Sequence, residues 1–128
     1  MTTTLNMKKY LKDFRSRCPG VLGAIVANSS DDIIESELPS FLEIDLTDLI
    51  GQISDIYLAM EELQKKSLRK TREHDIILRF NSIIVFAKTL PTGTLLILAE
   101  EDSNIGKVRS LSKLLIKKLD SALRSGKD

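Results

Sequence analysis

One histidine, one cysteine and a scatter of carboxylates are the residues from which catalysis or metal binding would have to be built. His74 stands at the start of a predicted strand. As a general base it would need an orienting carboxylate and a nucleophile within reach, so an exposed strand-end residue is the simpler reading. Cys18 has Arg15 and Arg17 nearby, which could lower its pKa. It also closes a predicted helix, where the dipole disfavours a thiolate, so a packed cysteine is expected instead. One His and one Cys cannot make an ordinary zinc site. Glu100, Glu101 and Asp102 lack the alternation and glycine of a calcium loop and read as a solvated turn. Leu90-Pro91-Thr92-Gly93-Thr94 has one glycine and no lysine, so it is a turn rather than a phosphate loop. Asn28-Ser29-Ser30 matches a glycosylation sequon, but Met1–Tyr10 has no apolar core of signal-peptide length, so the match carries no consequence. No catalytic, cofactor-binding or metal residue is expected, and no small-molecule substrate.

The charges are more informative than the nucleophiles. Lysines and arginines are frequent in the first predicted helix and along the last helix and tail. Aromatics make up only 5% of residues and fall mostly on apolar faces, so a solvated helix face is favoured over a nucleic-acid site. From Cys18 through Gln64 there is no lysine or arginine but there are ten acidic residues. Lys65, Lys66, Arg69, Lys70 and Arg72 follow at once. The central segment is therefore acidic at its start (Asp45, Asp48) and basic at and beyond its end. That polarity complements the helix macrodipole. It would also suit a two-fold antiparallel pairing, each acidic end facing the other copy's basic end.

The elements that must position these residues follow from periodicity and turn chemistry. Leu5, Tyr10, Leu11, Phe14 and Cys18 share a helical face, and Pro19-Gly20 stops that helix. Val21–Ala27 and Ile33–Leu38 flank the turn formers Asn28–Asp32 and predict a hairpin. From Asp45 to about Lys66, Leu46, Leu49, Ile50, Ile53, Ile56, Tyr57, Met60 and Leu63 recur over an arc of about 140°, as a face packed on a sheet requires. Asp45 can cap this helix, with Asp48 in its electropositive first turn. Residues 74–80, 83–90 and 94–99 predict an antiparallel meander, and a last helix opens at Ser103 or Asn104. The order is α-β-β-α-β-β-β-α.

Bulk properties set the frame. The 128 residues, 42% hydrophobic and 29% charged, suit one globular domain over 1–128. The net charge of +1 gives no general electrostatic reason to bind nucleic acid or anionic membrane. The longest apolar runs are far below a membrane span of roughly 20 residues, so no membrane insertion is expected. A lone cysteine fits a reducing, cytoplasmic compartment.

Two stretches carry a likeness to a known family. Pro19-Gly20-Val21-Leu22-Gly23-Ala24-Ile25-Val26 and Glu101-Asp102-Ser103-Asn104-Ile105-Gly106-Lys107-Val108-Arg109 resemble the opening strand and the last-helix entry of Roadblock/dynein-light-chain proteins. The motif residues are Gly20, Gly23, Asn104, Gly106 and Arg109, and the likeness runs from about Leu5 to Leu123. It is compatible with a bacterial or archaeal gliding-regulator-like member. The Asn81-Ser82 turn, where many relatives carry glycine, and the Pro39–Ile44 segment depart from the pattern and leave the subfamily open.

The resemblance implies an α/β (α+β) fold, a profilin-like three-layer α/β/α sandwich on a five-stranded antiparallel sheet. It implies a homodimer made by pairing central helices and joining the 74–80 strands. Together with the charge polarity it nominates Asp45, Asp48, Ile53, Met60, Lys65, Lys66, Arg69, Ile77 and Arg79 for that interface. It implies a non-enzymatic regulator or scaffold of a small Ras-like GTPase, either favouring a hydrolysis-competent switch state or only holding the GTPase in place. The alternative is a structural adaptor of a motor or signalling assembly that meets no GTPase.

Overall fold

A computed structural model describes residues 2–42, 45–65, 75–80, 82–90 and 93–125. The elements are α1 (Thr2–Arg17), β1 (Val21–Asn28), β2 (Ile33–Glu37), α2 (Leu46–Lys65), β3 (Asp75–Phe80), β4 (Ile83–Leu90), β5 (Gly93–Glu100) and α3 (Ile105–Ser125). This is the expected order. His74 and the segment 66–73 lie outside the described residues, as do Asn81, Pro91 and Thr92.

The five strands form one antiparallel sheet in the order β2-β1-β5-β4-β3. β3, β4 and β5 make the meander, and β5 returns beside β1, pairing Ala24 with Ile97 and Val26 with Leu95. β5 is the centre of the sheet, which accounts for its unbroken run Leu95–Ala99. A strand covered on both faces needs apolar residues at every position. Leu95 and Ile97 face α1 and α3, and Leu96 and Leu98 face α2.

The same alternation divides the core into two halves. Met7, Leu11, Phe14 and Cys18 of α1 and Val108, Leu115 and Leu119 of α3 pack with Phe86 and Leu90 on one face. Leu49, Ile50, Ile53 and Tyr57 of α2 pack with Ile25, Val85, Ala87 and Ile76 on the other. The result is the three-layer sandwich, with one helix above the sheet and two below. Leu63 does not belong to the inner arc of α2. It is 70% exposed, because Met60 is the last described apolar residue of the helix to pack against that half of the core.

Local chemistry fixes the ends of the elements. Asn28 Oδ1 accepts hydrogen bonds from the Ser30 and Asp32 amides, and Asp31 takes the left-handed conformation at φ 65°. Asp45 Oδ1 accepts from the Asp48 amide at 3.0 Å, making Asp45 the N-cap of α2. Asn104 does the same for α3, accepting from Lys107 N at 3.0 Å, so Asn104 rather than Ser103 opens that helix.

Candidate functional site

Chemistry-bearing residues do not converge among the described residues. Among the described residues no group of three or more His, Cys, Asp or Glu could hold a metal ion. Cys18 is 1% exposed, and burial pushes its thiol pKa up, with Lys107 opposing more weakly. It is a core residue. Glu101 and Asp102 lie on an exposed turn. No described helix is long and apolar enough to cross a membrane.

Among the described residues, one sheet edge and one helix face are left open. The two edges of the sheet are β2 and β3, and they differ sharply. On β2 the backbone of Ser36 is engaged by side chains of its own chain. Its amide donates to Glu35 Oε1 at 3.0 Å and its carbonyl accepts from Lys8 Nζ. Lys8 Nζ also lies 3.2 Å from Glu37 Oε2, and Arg15 Nη1 lies 3.4 Å from Glu37 Oε1. A charged, self-bonded edge resists pairing with another strand. Among the described residues β3 has no such protection. Ile76, Ile77 and Leu78 run along it without proline or glycine, and Arg79 is the one described charged side chain on it. Ile76 and Leu78 face the α2 half of the core, while Ile77, 37% exposed, and Arg79 occupy the opposite face.

The outer surface of α2 adjoins this edge in character. Opposite the core arc, helical spacing places Thr47, Gly51 and Leu58 in one line. Leu58 is 60% exposed, and a Cβ added at Gly51 would meet nothing within 4 Å. Mid-helix glycine costs roughly 1 kcal/mol relative to alanine, and no neighbour among the described residues requires it. Gly51 and Leu58 were not nominated from the sequence. Their seven-residue spacing on the side opposite the core arc was the available signal.

The residues nominated for the interface fall into four groups. Ile77 and Arg79 lie on the open edge, and Lys65 is exposed at the end of α2 with Glu62 Oε1 3.4 Å from its Nζ. Asp45 and Asp48 are exposed but already occupied: the first caps α2, and the second accepts from Gln52 Nε2 at 2.9 Å. Met60 is half-buried against the sheet, and Ile53 is 1% exposed beneath α2. Ile53 is therefore not available to an interface, because the sheet covers its face of the helix. Lys66 and Arg69 lie outside the described residues.

The motif residues have structural roles. Gly20 has φ 92°, and a Cβ there would fall 2.7 Å from Ser103 Cβ. Gly23 passes so close to the Glu37 carbonyl that a side chain would overlap it. A Cβ at Gly106 would stand 3.4 Å from the capping oxygen of Asn104. Arg109 lies over the Phe86 ring at 5.6 Å. The two motifs thus meet in space.

No protein-family profile matches the sequence, and no curated protein matches it. Solved structures do. The gliding protein MglB of Thermus thermophilus superposes with a TM-score of 0.80 at 12% identity, covering 98% of this chain and 93% of that one. A structure described as MglB with tetrameric arrangement gives 0.84 at 12%, with the same coverages of 98% and 93%. A Roadblock/LC7 domain of Streptomyces avermitilis gives 0.76 at 14%, covering 91% and 97%. The chain has the Roadblock/LC7 fold.

Proposed function

We propose that this chain is a homodimeric, non-enzymatic platform that regulates or positions a small Ras-like GTPase. The observation that carries the dimer is the contrast between the two sheet edges. β2 is occupied by Lys8, Arg15 and its own glutamates, whereas β3 presents an apolar strand with its outer backbone unpaired among the described residues. Such an edge invites aggregation unless a second strand covers it, and a second copy of β3 is the self-complementary cover.

A two-fold axis normal to the sheet keeps both α2 helices on one side only if residues of like parity stand opposite each other. Centring the pair on Ile77 sets Ile77 against its own copy and Ile76 against Leu78. It also brings residues 75 and 79, aspartate and arginine, into opposition across the junction. The two α2 helices then lie side by side, where Gly51 and Leu58 offer a close and partly apolar approach.

The GTPase role rests on the Roadblock resemblance and the shared fold. Regulation would act on the partner's own catalytic groups, by selecting a hydrolysis-competent switch state or by holding the GTPase at a location. Affinity purification of the tagged chain from its native cells tests the reading. A Ras-like GTPase should be recovered, in amounts that depend on added GTP analogue or GDP. Recovery of a stable multi-protein assembly without any GTPase would reject it in favour of the adaptor.

A further inference from the structure

The net charge of +1 conceals a strong separation of charge across the sheet. α1 carries five basic residues against one acidic, and α3 six against one. On the other side of the sheet α2 carries four acidic residues against one basic. Some of the cations on the α1–α3 layer are neutralised locally. Lys8 and Arg15 bond to the β2 glutamates, and Arg124 pairs with Asp120. Lys9, Lys12, Arg17, Lys113 and Lys117 are exposed and join no ion pair among the described residues.

Helical spacing places Lys9 and Lys12 on the ridge of α1 opposite Met7, Leu11 and Phe14, and Lys113 and Lys117 on the ridge of α3 opposite Val108, Leu115 and Leu119. Two helices lying side by side on a sheet make a broad, nearly flat layer rather than a cleft. A shallow groove between them is lined by Tyr10, Asp13, Arg17, Leu111 and Leu114, with Lys118 Nζ 5.6 Å from the Tyr10 ring. Leu114 is 57% exposed at this groove.

We infer that the α1–α3 face is a docking surface for a bilayer rich in anionic phospholipid. The four ridge cations are all lysines, compact hydrated charges suited to diffuse attraction by a layer of headgroups rather than to the forked recognition that arginine provides. Leu114, set between the two lysine ridges, can enter the headgroup region while the ammonium groups stay at phosphate level. Nucleic acid fits less well. Phe14 and Phe86 are buried and Tyr10 lies under Lys118, so the face offers no stacking platform. The inference stands on a single chain and does not require the dimer.

Co-sedimentation of the full chain with extruded vesicles tests it. Vesicles of phosphatidylcholine with about 30 mol % phosphatidylglycerol should retain the protein, and pure phosphatidylcholine should not. Raising salt from about 0.1 M to about 1 M shortens the screening length from about 10 Å to about 3 Å and should release it. K9E/K12E/K113E/K117E should lower binding at least about tenfold, and K113E/K117E alone should lower it part of the way. K9R/K12R/K113R/K117R, which keeps the four charges, should bind as the wild type does. Far-UV circular dichroism of each variant confirms that the fold is retained. Binding unchanged in the quadruple variant, equal binding to neutral vesicles, or no binding to anionic vesicles would overturn the inference. So would a duplex DNA that binds more tightly than the vesicles at the same salt, reassigning the face to a nucleic acid.

Discussion

Gly20 and Ser103 share a space that holds only one Cβ: a side chain at Gly20 would place that carbon 2.7 Å from the Ser103 Cβ. The contact locks the turn after α1 to the turn before α3, and the Glu100 amide donates to the Gly20 carbonyl at 2.8 Å beside it. Gly20 also sits at φ 92°, which L-residues adopt at a cost. Gly20→Ala should therefore lose more than about 2 kcal/mol in urea unfolding, through strain and overlap together. Adding Ser103→Gly should restore part of the loss, because it removes the overlap but not the backbone strain. Equal stability of the single and double variants would show that the contact is not the cause.

Asp45 and Asn104 are caps, and capping predicts a modest, local penalty. Asp45→Ala and Asn104→Ala should each cost about 1 kcal/mol. Because the Asp45 carboxylate is already bonded to the Asp48 amide, Asp45→Asn should keep both stability and self-association. A monomer produced by Asp45→Asn in sedimentation equilibrium would instead assign the charge to the interface.

The open edge of β3 gives a direct readout of register. Ile77→Cys should form a symmetric disulfide-linked dimer under mild oxidation, since directly opposed residues have Cβ atoms roughly 4.5–5.5 Å apart. Cys18 is buried and will not compete. Ile77→Lys should yield monomer. Cross-linking at Leu78→Cys in place of Ile77→Cys would keep the dimer and reject this register, whereas a monomeric wild type would reject the dimer itself. Reversal of Lys65, Lys66, Arg69 and Lys70 to glutamate should weaken self-association further if the acid-to-base polarity of the chain contributes.

Burial raises the Cys18 thiol above its ordinary value of 9.0, so the folded state holds its proton where the unfolded chain would release it. The stabilisation this gives is complete below pH 9.0 and is lost as the pH climbs from there through the raised folded-state value. Urea midpoints should fall more steeply above that pH for the wild type than for Cys18→Ala. Alkylation by iodoacetamide at pH 8 should be slow until denaturant is added. Rapid alkylation of the native protein would contradict the buried placement.

Much of the architecture was legible because it is written locally. The Asn28–Asp32 turn, the Pro19-Gly20 stop and the apolar arcs of α2 and α3 each depend on residues a few positions apart. The adjacency of β1 and β5 is not local, and only the unbroken apolar run of β5 hinted that it would be central. Leu63 fits the period of α2, yet periodicity cannot tell where the underlying sheet ends. The burial of Ile53 is hidden for a similar reason: an apolar residue on a helix that can also pair gives no sign in the sequence of which neighbour takes it. The Ser36 edge was invisible, because it depends on Lys8 reaching across from α1 to β2. Net charge misled most, since a sum over the chain erases the separation between its two faces.

The unequal edges also limit stoichiometry. A sheet with two exposed edges can add copies without end, and fibres grow in that way. Here Ser36 has its backbone partners supplied by Glu35 and Lys8, so a union through β3 would consume the reactive end of each copy and leave a sheet flanked on both sides by β2. Addition would stop at two. Removing the seal with Lys8→Ala and Glu35→Ala should convert a finite particle into one that elongates, detectable as thioflavin-positive or rapidly sedimenting material at concentrations where the wild type stays small.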